Sequence, residues 1–162
     1  MLPRIATGIL AAAVFLPAFG GEEMRGPATR TQILTAVPEW ESVMASYQPN
    51  PAAVGALHNL AQPALIEVYF GSWCSDSKDH VSALFKVLDL ADNPLLQTAY
   101  IALPRDKAER AKYVAANMEI VKLPTFIVLV DSKEKGRLIE RPTATVEDDL
   151  AAILARGPAR VL

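Results

Sequence analysis

"VYFGSWCSDSK", residues 68–78, governs how the rest of the chain is read. A β-rich run ends at Phe70 and a glycine follows. The only cysteine of the 162 residues, Cys74, then stands where the pattern turns helical. Downstream, Val81, Leu84, Phe85 and Leu88 repeat at helical spacing, so an amphipathic helix is expected over residues 75–91. Upstream, "ALIEVYF" (64–70) reads as a strand. Cys74 is therefore placed at a strand-to-helix junction, the end of an open α/β sheet where ligands bind. The helix start brings free N–H groups and a positive dipole end to the sulfur, and both favour thiolate. Ser77, one turn on, is expected to donate a hydrogen bond to the sulfur, whereas the Asp76 carboxylate opposes a second negative charge. The sum is a moderately activated thiol. A cysteine is often just a small buried hydrophobe, but the polar run "SDSKDH" after Cys74 argues for exposure.

Outward from this junction the elements follow in turn. "LQTAYIA" (96–102) is a strand, and Asp106 with Glu109 signals a helix that runs to about residue 117. "TFIVLV" (125–130) is a strand buried on both faces. "DSKEKG" turns the chain and "RLIER" returns as its hairpin partner. Thr145 and Asp148 have N-capping spacing for a last helix lined by Leu150, Ile153 and Leu154. Towards the N-terminus, Pro38 suits a first helical position, and Trp40, Val43, Met44 and Tyr47 recur at helical spacing. Asn50-Pro51 starts a second helix that ends near residue 61. Residues 21–37 read as a linker with a short strand near 32–37. The order α–β–α–β–α–β–β–α implies an α/β domain over residues 38–162. Its sheet has a parallel core and a final antiparallel hairpin, with strands 64–70 and 125–130 at its centre.

Composition narrows the function. The chain is 51% hydrophobic and 21% charged, which suits one compact domain. A net charge of −2 with no basic run excludes a nucleic-acid footprint. One cysteine allows neither an internal disulfide nor a multi-cysteine zinc site, and with only His58 and His80 beside it no metal is expected. Residues 1–20 carry Arg4, an apolar run and small residues before a cut between Gly20 and Gly21. This is the pattern of a signal peptide, and it implies export to a periplasmic or secreted location, with no membrane association after cleavage. The other reading of this segment is a retained N-terminal anchor. Exported compartments are oxidising, where an unpaired cysteine stands out.

Two motifs carry a family resemblance. "VYFGSWCSDSK" is similar to the active-site segment of the thioredoxin superfamily, with its Trp-Cys-x-x-Cys-Lys pattern. "VKLPTFIVLV" (121–130) resembles the segment around that family's cis-proline and the central antiparallel strand after it. The motifs are separated by a helix, a strand and a helix, and the likeness covers residues 38–156. Within the superfamily it points to the thioredoxin-like proteins with Trp-Cys-x-Asp-Ser. The resemblance implies a three-layer α/β/α sandwich around a mixed sheet. It makes Cys74 the attacking sulfur and Ser77 its neighbour in the catalytic motif. Trp73 becomes its shield and apolar docking surface, and Pro124 a cis residue facing it. Leu123 inherits main-chain pairing with the substrate, and Thr125 belongs to the same binding segment. No metal or organic cofactor is implied.

Two departures shape the expected chemistry. Ser77 replaces the resolving cysteine, and Val68 stands where the family often has a buried acid. Glu67 is one place off, so in a strand it faces the opposite way. A lone thiol can attack a disulfide and form a mixed disulfide, but it cannot release the partner internally. The expected function is monothiol exchange with a disulfide-containing protein or a small thiol such as glutathione. The alternative is a binding module that uses the Trp73, Leu123 and Pro124 surface without turnover. A Cys–His hydrolase built on His80 lacks an oxyanion or orienting motif.

Overall fold

The computed structural model describes residues 23–116 and 118–156. Its centre is strand β2 (Ala64–Phe70), parallel to β3 (Leu96–Ala102) and antiparallel to β4 (Thr125–Val130). β4 pairs antiparallel with β5 (Lys133–Ile139), and a short strand β1 (Gly26–Ala28) lies antiparallel on β3. The sheet order is β1-β3-β2-β4-β5. Six helices accompany it: α1 (Arg30–Ala36), α2 (Trp40–Ser46), α3 (Pro51–His58), α4 (Ser75–Ala91), α5 (Lys107–Arg110) and α6 (Val146–Ala155). A five-stranded mixed sheet with helices packed on it makes an α/β sandwich. No described helix is long and apolar enough to cross a membrane.

Alternation along the strands divides the core in two. Ile66, Val68 and Phe70 of β2 and Phe126 and Val128 of β4 face α4 and α6, and Ile33, Trp40 and Leu57 bring α1, α2 and α3 to this same core. On the opposite face Tyr69, Leu103, Leu123 and Ile127 form a smaller cluster. It is covered by Tyr113, Val114, Met118 and Ile120 from the chain that follows α5. Phe126, Ile127 and Val128 are all buried, so β4 is enclosed on both faces as its apolar run implies.

Several expectations need correction. Residues 23–37 are not a linker, because they supply β1 and α1. The strand expected near 32–37 is helical. The Thr29 side chain accepts from the Gln32 amide, the Gln32 side chain reaches back to Thr29, and this capping box starts α1. Pro38 precedes α2 and is not its first residue. α3 ends at His58, where Asn93 Nδ2 donates to the carbonyls of Leu57, His58 and Leu60. The helix expected from residue 106 to 117 is only α5. Asp106 caps it as foreseen, but past Arg110 the apolar side chains turn down onto the sheet. The hairpin turn is Asp131–Ser132 alone, both with positive φ, so "KEKG" belongs to β5 and not to the turn. The expected signal segment, residues 1–20, lies outside the described residues.

Candidate functional site

The loop between β2 and α4 is built around Gly71. Its amide donates to Ser77 Oγ at 3.1 Å, and Cys74 N donates back to Gly71 O at 3.0 Å. Only glycine fits, because a Cβ there would lie 2.8 Å from Trp73 Cε2. This tight return leaves Cys74 as the N-cap of α4, with extended backbone and no side-chain cap bond. The sulfur is half-buried. It lies 3.7 Å from the carbonyl oxygen of Leu123, to which the thiol donates. That carbonyl belongs to the Leu123–Pro124 peptide bond, which is cis, as the resemblance implies. Residues 49 positions apart are thus brought together at one end of the sheet.

The other candidate residues divide into those that meet the sulfur and those that do not. Ser77 is fully buried, and its hydroxyl receives the Gly71 amide rather than serving the sulfur as expected. Its role in the structure is to shape the loop. Leu123, Pro124 and Thr125 are buried, and Thr125 Oγ1 donates to Lys122 O at 2.8 Å. Their side chains are not an open docking surface. Trp73 is partly exposed, and its Nε1 donates to Leu103 O at 3.1 Å. Val68 is fully buried in the main core. Glu67, on the other face, accepts from Tyr69 Oη at 3.1 Å.

Charged groups lie on the elements either side of the loop. Asp76 accepts from Arg141 Nε at 3.3 Å, so its charge is partly countered. His80 is half-buried on α4, and burial lowers its pKa against the pull of Asp76 and Asp79. Across the loop, two guanidinium groups lie over the Trp73 ring, Arg105 at 4.7 Å and Arg110 at 5.7 Å from its centroid. Sequence reading did not find this pair. Its only signal is the basic content of "PRDKAER" (104–110), which does not reveal that the chain folds back over Trp73. Among the described residues, no group of three or more His, Cys, Asp or Glu side chains could hold a metal ion.

Comparison with known proteins adds to the fold alone. No family model and no curated protein matches the chain. Among solved structures, the crystal structure of an HIV epitope scaffold is similar at 21% identity and a TM-score of 0.57, over 78% of this chain and 86% of that one. The crystal structure of a protein of unknown function from Pseudomonas aeruginosa is 24% identical over 79% of this chain and 76% of that one, with a TM-score of 0.49. The class that fold and site define is an α/β sandwich with a single half-buried cysteine at a strand-to-helix junction.

Proposed function

We propose that the protein is a thioredoxin-like monothiol exchange protein, in which Cys74 attacks a disulfide and holds the partner as a mixed disulfide. One observation carries this reading: the half-buried Cys74 sulfur at the start of α4, against the Leu123 carbonyl that precedes Pro124. Cys74 is the N-cap of α4, and half-burial keeps it short of the sealed core. Ser77 offers no second sulfur, so release needs an external thiol. A docking module without turnover is the weaker reading, because the side chains of Leu123, Pro124 and Thr125 are buried. Export is part of the proposal, and N-terminal sequencing from the native host should then find a start near Gly21.

The test is adduct formation and lifetime. A small disulfide reagent should add once, at Cys74, and not at all in Cys74→Ser. The adduct should persist until a thiol is supplied. In Ser77→Cys it should resolve internally, since position 77 lies in the first turn of α4, which Cys74 caps. Failure of any reagent to reach Cys74 in the folded protein would remove the exchange reading and leave the docking module in its place.

A further inference from the structure

We propose that the Arg105–Trp73–Arg110 stack selects small disulfides that carry a carboxylate close to the reactive sulfur. This rests on Cys74 being the exchanging thiol. Trp73 is the residue next to Cys74, and its ring carries two cations on the loop that bears the sulfur. A guanidinium over an indole ring is held in place by the ring quadrupole, with its donors still available to an anion. Arg110 spends Nε on Pro104 O at 2.9 Å and reaches Arg105 O with Nη2 at 3.5 Å. Among the described residues neither arginine has a carboxylate partner. The acidic groups of this region are already engaged. Glu23 binds Arg25 and the Arg105 amide, and Glu109 binds Arg25 and Lys112. Two like charges over one ring repel each other, and a bound anion relieves that repulsion.

A cleft beside Trp73 and Arg105, which Cys74 and Arg110 do not line, bounds the size of the group that the carboxylate end carries. It has a volume of about 310 Å³ and is walled by Met24, Val37, Ser72, Trp73 and Arg105, with the paired Glu23 at its margin. That volume is at the lower end for small-molecule sites. The apolar wall and the cation together suit a compact carboxylated disulfide better than a long acidic protein segment. In the exchange, the Cys74 proton goes to solvent and the thiolate attacks one sulfur of the disulfide. A new S–S bond forms to Cys74, the old one breaks, and the other half leaves as a thiolate with the electron pair. The number of disulfides is unchanged, so no further oxidant or reductant is needed.

The experiment compares rates of Cys74 modification by dianionic dithiobis-nitrobenzoate and by neutral dithiodipyridine, each divided by its rate with a free N-acetylcysteine amide thiol. Wild type should favour the dianion even though the whole chain carries a net −2, and added salt should reduce the preference. Arg105→Gln and Arg110→Gln should each lower the ratio of the two rates by roughly two- to fivefold, the size expected of an exposed ion pair. Arg105→Lys, which keeps the charge, should retain most of it and controls for disruption of the loop. A ratio equal to that of the free thiol, or one unchanged in the arginine variants, would overturn the inference and leave the exchange reading intact. A preference for an acidic peptide disulfide without one for the small dianion would overturn the small-molecule assignment. No reaction with either reagent would sink both the exchange reading and this inference.

Discussion

Gly71 shows how much one missing side chain fixes. Its amide holds Ser77, its carbonyl holds the Cys74 amide, and its open Cα face receives the Trp73 ring. Gly71→Ala puts a methyl 2.8 Å from the ring, so the indole or the loop that carries it must shift. The expected cost is about 1–3 kcal/mol, read as a lower denaturation midpoint together with a change in tryptophan emission. Among single residues the sequence marked where the junction lies and said little about its contacts. Cys74, Trp73 and Pro124 stood out because each marks a strand end or a segment boundary in a recognisable motif. The partner of Ser77 did not, because helical spacing places it below the sulfur while the loop backbone, which no spacing rule describes, reaches it first. The arginines over Trp73 were missed for a similar reason, since their approach depends on the path of residues 103–110.

Among the elements, the tie of α2 and α3 to the last helix is the most consequential. Glu147 of α6 is fully buried, yet its two oxygens accept from Tyr47 Oη at 2.9 Å and from Asn50 N at 2.7 Å. These bonds join the end of α2 and the start of α3 to α6 across the main core. The buried carboxylate, next after burial itself, pushes the Tyr47 hydroxyl pKa upward. Glu147→Ala leaves two donors unmet, and the expected loss is on the order of 3 kcal/mol, measured by urea unfolding. The strand positions were readable because apolar runs of strand length, bounded by turn residues, have few other interpretations. The bounds of β2, α4, β3 and β4 follow the sequence pattern closely. α1, the early end of α5 and the N-terminal strand were not readable, since their form is set by tertiary contact. Ile33 is helical and fully buried, and Tyr113, Val114, Met118 and Ile120 cover the second sheet face without a helical repeat.

For the whole molecule, the second sheet face sets an alkaline limit. Burial first, and the neighbouring Glu67 charge second, push the Tyr69 hydroxyl from 10.0 up to about 12. A group whose pKa is higher folded than unfolded contributes stability that is complete below the unfolded value and lost as pH rises through the folded one. Stability should therefore fall between pH 10 and about 12, and absorbance titration should show Tyr69 ionising late together with Tyr47 and Tyr100, whose hydroxyls burial also raises. Glu67→Gln should move the Tyr69 component alone to lower pH. At the acid end the sign reverses. The hydrogen bond from Arg30 holds the Asp89 carboxyl below its usual range, so that contribution is present near neutrality and lost as pH falls through the lowered value. The outer strands bear on a different matter, the tendency of sheets to join edge to edge. β1 is three residues long with Pro27 at its middle, so it has little to offer an incoming chain. β5 carries Lys133, Glu134, Lys135 and Arg137, and the ladder it shares with β4 is irregular at Val128 and Leu129. Between them, a short proline strand and a charged, irregular one leave the sheet poorly suited to recruit another copy, and concentrated protein is thereby protected from growing into fibrils.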